Sequence, residues 1–174
     1  MAQDKTQINF DILLFFSISI FFIFFTNLKL VIFAPLLTYL FYKKTFISTL
    51  WISVFLGIIA DIFSSSFFSL FTICYFLTTL TSYKIRRYIK ESFLNSSLFV
   101  SIYSLIFSIY CPILFFIFDK KIDLSISWIG TDLIIMPILD GVYGFLCFYL
   151  PKKLLLNIGN LWKIYRKRVF QNSR

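Results

Sequence analysis

The chain has 174 residues, 59% hydrophobic and only 14% charged, with a net charge of +9 and a mean hydropathy of +0.86. A water-soluble domain is about a quarter charged, so this chain has too little polar surface to cover a soluble globule. The composition implies an integral membrane protein, and the absence of histidine removes the commonest general base and metal ligand.

A helix crossing the hydrocarbon core needs about 20 apolar residues. Taken in chain order, six segments qualify as candidates. The first runs over Phe10–Thr26. Lys5 precedes it, but "FFTNLKLV" offers no small-residue cleavage site, so it reads as a retained span. The second, Leu28–Tyr42, is short and carries Pro35. The third covers Thr45–Phe63 and the fourth Phe67–Tyr83. The fifth covers Phe93–Phe118, with Pro112, and the sixth Ile126–Leu150, with Pro137. The joints "TNLK", "YKK" and "SSS" are brief, so neighbouring spans form antiparallel hairpins. The expected architecture is all-α, a single transmembrane bundle over residues 1–151 followed by a basic tail over 152–174.

Cations set the orientation, because Lys and Arg stay on the cytoplasmic side. With six spans and both ends inside, fourteen cations face the cytoplasm and three, Lys29, Lys120 and Lys121, face outward. The inner set includes Lys84, Arg86, Arg87 and Lys90 in "YKIRRYIKES" and Arg166, Lys167 and Arg168 in the tail. If the second segment only dips into the membrane, five spans remain. Lys5 and Lys29 then exchange sides, and the balance is again fourteen to three. The tail "NLWKIYRKRVFQNSR" interleaves cations with Leu161, Trp162, Ile164, Tyr165 and Phe170. As a helix it would lie along anionic headgroups of membrane lipids, or dock an acidic partner. No nucleic-acid partner is required, since +9 is what a cation-inside topology demands of a small membrane protein.

Three acids fall within or beside apolar segments. Asp61 lies sixteen residues after Thr45, a rise of roughly 24 Å, which sets it near the outer boundary. There its cost is well below the ~2.5–3.5 kcal/mol of a charge at a helix centre. As a structural residue it caps the turn between the third and fourth spans, accepting from backbone N–H groups near Phe67. Contact with a partner protein or ligand is the other reading. Asp132 lies just inside the outer end of the sixth span, beside Trp128. Asp140 falls near the middle of that span, with no Lys or Arg at its depth. Three outcomes follow: a protonated carboxyl, a hydrogen bond to Ser, Thr or Tyr on a neighbouring helix, or a polar cavity. Gly141 and Gly144 let another helix come close on one side.

No nucleophile signature, metal cluster or glycine-rich phosphate loop is present, so neither catalysis nor a cofactor is expected. Cys74, Cys111 and Cys147 lie deep in apolar segments, at spacings that fit no zinc or redox motif, and read as small packing residues.

The stretch "APLLTYLFYKKT", followed by "GIIADIFSSSFFSLFTICYFLTTL", resembles the bacterial rod-shape-determining protein MreD family over about Phe33–Lys90. The likeness lies in Pro35 early in a short span, then Tyr39, a polar joint, and the spacing Gly57-x-x-x-Asp61 before a small-residue turn. Where the family has glycine after the Asp and again before the next span, this chain has Ser65 or Ser66 and then Ser69. Serine lacks glycine's freedom at positive φ. The resemblance implies a multi-pass inner-membrane scaffold that binds MreC. Through MreC it would join the MreB filament, RodA and penicillin-binding protein 2, and no reaction of its own would be assigned to it. A small-molecule-binding subunit, such as the substrate-capture component of an energy-coupling-factor transporter, is the alternative. Against that, the first span lacks the small residues such subunits use for docking.

Overall fold

The computed structural model describes residues 2–25, 31–64, 69–118, 129–151 and 153. The described residues are all helical or in short turns, with no strand among them. Six helices follow in order: α1 (Ala2–Phe25), α2 (Ala34–Lys43), α3 (Phe46–Phe63), α4 (Leu70–Arg86), α5 (Phe93–Ile117) and α6 (129–149). The last is composite, with a π-helical stretch Ile129–Ile135, an α-helical stretch Met136–Gly144 and a second π-helical stretch Phe145–Tyr149. Pro137 stands at the start of the α-helical part, where its missing N–H follows the widened turn.

α1 begins at Ala2, eight residues before the expected Phe10, and two elements start later than expected. The helix of the second segment starts at Ala34 rather than Leu28, and Pro35 occupies its first turn. Its ten residues rise about 15 Å, half of what a hydrocarbon core requires. The fourth helix starts at Leu70, not Phe67, because Ser69 adopts a left-handed backbone with φ of 78°. Ser69 stands where the resemblance puts a glycine, and its backbone is the one glycine adopts most readily. Among the described residues, Phe46–Phe63 and Leu94–Ile117 are long and apolar enough to cross a membrane.

α2 is the centre of the molecule. Every residue from Ala34 to Phe41 is buried, and α1, α3, α4, α5 and α6 all pack on it. Inside, the Thr38 hydroxyl meets the Tyr149 hydroxyl of α6 at 3.3 Å and the Tyr39 hydroxyl reaches Asp11 of α1. α1 runs antiparallel to α2. The Tyr39 hydroxyl donates to Asp11 Oδ2 at 2.7 Å, and the Ser19 hydroxyl donates to the Ile32 carbonyl at 3.3 Å. Phe15 fills the space between, edge-on to Tyr39 and Phe148, each at 4.9 Å between ring centroids.

α3 and α4 form an antiparallel hairpin in constant register. Gly57 meets Thr72 and Phe46 stacks near Tyr83 at 4.1 Å, contacts eleven residues apart on each helix. α5 lies antiparallel to α4, with Tyr75 on Phe107 at 4.9 Å and Thr79 bonded to Tyr103 at 3.0 Å.

The outside of the bundle is apolar, while its interior mixes large apolar side chains with hydroxyls. Ile47, Trp51, Phe55 and Ile62 form an outward stripe on α3, each more than half exposed. Leu94, Leu98, Phe116 and Ile117 do the same on α5. Buried positions include Thr49, Ser53, Asp61, Thr78, Thr79, Ser82, Ser104, Ser108 and Asp140. Hydroxyls and small residues between helices with aliphatic surface outside match packing in lipid, where apolar burial gives no driving force between helices.

One end of the bundle gathers the cations. Lys43 closes α2, Lys84 and Arg86 close α4, and Arg87 and Lys90 lie in the turn before α5. Lys43 pairs with Glu91 at 2.6 Å, and the Arg86 guanidinium sits 5.8 Å from both the Tyr42 and Tyr83 rings. Ser92 caps α5 by accepting from the Asn95 N–H at 3.2 Å. The expected tail, with Arg166, Lys167 and Arg168, lies outside the described residues, as do Ser65 and Ser66.

Candidate functional site

Seven of the residues singled out from the sequence, Gly57, Asp61, Ser69, Pro35, Asp140, Gly141 and Gly144, gather at two helix junctions, each organised by one buried carboxylate. At the first, α4 opens with N–H groups that have no partner in their own helix. Ile73 N–H bonds back to the Ser69 carbonyl at 3.0 Å, which leaves the preceding donors open. Asp61 reaches across from α3 to take two of them. Its Oδ1 accepts from the Phe71 N–H at 2.8 Å, and its Oδ2 accepts from the Thr72 N–H at 3.1 Å. The Thr72 hydroxyl donates to the same Oδ2 at 2.6 Å.

The negative charge lies at the positive end of the α4 dipole, where an anion is favoured. Because α4 starts late, these donors lie four and five residues beyond Phe67, which is outside the described residues. Asp61 itself is 4% exposed.

Gly57, one turn before Asp61, makes this reach possible. A Cβ there would stand 2.5 Å from Thr72 Cα and 3.0 Å from its nitrogen, so any side chain would push α4 away. Glycine brings the two backbones together, and the carboxylate one turn on then spans the remaining gap. Gly57, Asp61, Ser69 and Thr72 therefore act as one unit.

The second junction joins α2, α5 and α6. Before α2 the chain is not helical at Val31–Phe33, and a buried non-helical backbone must find hydrogen-bond partners inside the protein. The Val31 N–H donates to Asp140 Oδ1 at 3.0 Å, and the Ile32 carbonyl accepts from Ser19. The other oxygen of Asp140 accepts from the Ser104 hydroxyl. Asp140 is fully buried. Its neighbour Gly141 accepts at its carbonyl from the Ser97 hydroxyl at 2.6 Å, and a Cβ at 141 would strike the Ser101 hydroxyl. At Gly144 a Cβ would stand 3.1 Å from Val100 Cγ2 and 3.5 Å from the ring of Pro35. Pro35, Asp140, Gly141 and Gly144 thus belong to the same junction.

Asp132 stands apart. It is half-buried in the π-helical opening of α6, and Oδ2 accepts from the adjacent Thr131 hydroxyl at 3.3 Å. It is not brought together with Asp61 or Asp140. Lys84, Arg86, Arg87 and Lys90 collect at the basic end, remote from both carboxylates, with Lys84, Arg87 and Lys90 exposed.

Sequence reasoning missed three participants. Asp11 anchors Tyr39 from α1, but it lies at the edge of the first apolar run and carries no spacing signal. Thr72 was hidden among other hydroxyls. Ser104 did have a signal: Ser97, Ser101, Ser104 and Ser108 recur at steps of four, three and four, one face of a helix. Ser97, Ser101 and Ser104 of that stripe meet α6.

Chemically, both carboxylates act as acceptors for helix ends and interhelical hydroxyls. Among the described residues no three Cys, Asp or Glu side chains converge as a metal site. No protein-family profile, characterised protein or solved structure matches the chain.

Proposed function

We propose that this chain is a non-catalytic, multi-pass scaffold of the bacterial elongation machinery, of the MreD type. It resides in the inner membrane, binds MreC, and helps position peptidoglycan synthesis by RodA and penicillin-binding protein 2 alongside the MreB filament. The observation that carries this reading is the Gly57–Asp61–Ser69 unit. Gly57 and Asp61, two of the positions that carry the resemblance, meet at one helix junction with Ser69, where this chain departs from the family's glycine: glycine for close approach, carboxylate for the helix end, and a positive φ at the serine.

The expected topology has further support. Asp11 opposite Tyr39 and Ser19 opposite Ile32 set the first half of α1 toward the basic end and its second half away from it. That arrangement favours six passes with a shortened second helix over a segment that dips and returns. On the cation-inside rule the end bearing Lys43, Lys84, Arg86, Arg87 and Lys90 is cytoplasmic. The Asp61 junction then faces the other side of the membrane. Both surfaces are available to partners, the basic end to cytoplasmic components and the Asp61 turn to a bitopic protein crossing beside it.

The test is purification from the native membrane in mild detergent, with identification of what travels along. Co-purification of MreC or a peptidoglycan synthase is the expected result. Recovery of a bound vitamin, or of an ATPase module, would contradict the scaffold and favour a transport subunit.

A further inference from the structure

The turn between α4 and α5 holds more unbalanced charge than its side of the membrane accounts for. The cation-inside rule explains which side the cations take, not why they stand without acids. Glu91, the acid of this turn, is taken by Lys43. Among the described residues, Lys44, Lys84, Arg86, Arg87 and Lys90 have no carboxylate partner.

The turn is also held in shape. The Tyr88 N–H bonds back to the Ile85 carbonyl at 3.0 Å, and the Ile89 N–H to the Arg86 carbonyl at 3.2 Å. From α2, the Tyr42 hydroxyl donates to the Ile89 carbonyl at 3.2 Å. From α5, the Asn95 side-chain amide donates to the Lys90 carbonyl at 3.1 Å. Arg86 is kept in place by the Tyr42 and Tyr83 rings. Lys84 and Arg87 stand exposed on one side, three residues apart, with Lys90 and Tyr88 exposed beyond them. Like charges at that spacing repel, and an anion beside them relieves the repulsion.

The neighbouring surface selects the kind of anion. Leu80, one turn before Lys84 on the same face of α4, is exposed. Leu94 and Leu98 are exposed in the first turns of α5. Cations at a rim with an apolar wall beneath them match a phospholipid, which has its charge and its acyl chains in the same order. A soluble acidic segment would use the cations alone.

We propose that the α4–α5 turn is a headgroup site for an anionic phospholipid of the bilayer. Lys84, Arg87 and Lys90 take the net negative charge of the headgroup. Tyr88 lies at headgroup level, as interfacial aromatic residues do, and an acyl chain runs along Leu80. The site rests on the chain's place in the membrane and not on the scaffold reading.

The test is native mass spectrometry of the full chain, purified in mild detergent. The protein is equilibrated with equal amounts of phosphatidylglycerol and phosphatidylcholine of the same acyl chains. A basic residue near the surface adds about fivefold to anionic-lipid binding, so phosphatidylglycerol should be retained over phosphatidylcholine by about fivefold or more. With Lys84→Gln, Arg87→Gln and Lys90→Gln together, the two lipids should be retained equally. With Lys84→Arg, Arg87→Lys and Lys90→Arg together, which keep the charge, the preference should stay. It should also stay with Arg166→Gln, Lys167→Gln and Arg168→Gln in the tail. Equal retention of both lipids by the unaltered chain would overturn the proposal. So would a preference that survives the glutamine changes in the turn, one lost in the charge-keeping variant, or one lost with the tail cations instead. Displacement of the lipid by excess inorganic phosphate would make this a site for free anions and overturn it as well. No partner protein enters the experiment, so its outcome is independent of the scaffold reading.

Discussion

The α3–α4 junction and the junction of α2 with α5 and α6 each turn on one carboxylate, but they differ in range and in the donors they face. Asp61 takes its partners from ten and eleven residues away, within one hairpin. Asp140 takes them from 36 and 109 residues away, on two other elements. The first junction can form as soon as α3 and α4 pair. The second exists only once α2, α5 and α6 are together.

Their chemistry differs too. Asp61 faces two backbone N–H groups, which only donate, one on each oxygen, with the Thr72 hydroxyl beside the second. Asp140 faces one N–H and one hydroxyl, and a hydroxyl can donate or accept. A buried carboxylate in a span is thus not one kind of feature. One is committed to a helix end by an obligate donor on each oxygen, and the other is held in part by a hydroxyl that can adapt.

Substitutions sharpen this contrast, with the largest effect expected at Asp61. Asp61→Ala strands the Phe71 and Thr72 N–H groups together with the Thr72 hydroxyl. At about 1–3 kcal/mol per orphaned group, the loss should be about 3–9 kcal/mol. Heating the purified protein in mild detergent and measuring the folded fraction by size exclusion would read it. Next, Gly57→Val forces α3 and α4 apart at Thr72 and should cost about 1–3 kcal/mol. A loss confined to abundance, with no change in melting, would contradict that placement.

Tyr39→Phe removes the hydroxyl from Asp11 while keeping the ring against Phe15, and should cost about 0.5–1.5 kcal/mol in the same assay. The smallest effect has the opposite sign. Ser69→Gly relieves a left-handed backbone and should raise stability by up to about 1 kcal/mol. A loss there would mean the serine hydroxyl matters more than its φ.

How far these junctions could be read from the sequence follows the same division by range. The third and fifth helices lie within one residue of their expected bounds, because long apolar runs between charged turns define them. Asp61 as an acceptor at the α3–α4 turn was legible because cap and helix are close in the chain. Its actual donors were displaced by the late start of α4 at Ser69, and a serine gives no warning of positive φ. Asp140 was recognisable as a buried acid, but not its partner Val31. Nothing local marks an N–H that will be exposed by a shortened helix 109 residues earlier. The central place of α2 was also hidden, since a short apolar segment with a proline reads equally as a pass or a dip.

Comparing Asp61→Asn with Asp140→Asn by thermal unfolding in one detergent tests the central claim most directly. At position 61 an amide must set its own N–H against a backbone N–H, whichever way it is flipped. At position 140 its oxygen can still accept from Val31 while its nitrogen donates to the Ser104 hydroxyl. The account predicts a clear drop in melting temperature for Asp61→Asn and a value close to the unaltered protein for Asp140→Asn. Equal losses, or a larger loss at Asp140, would contradict it.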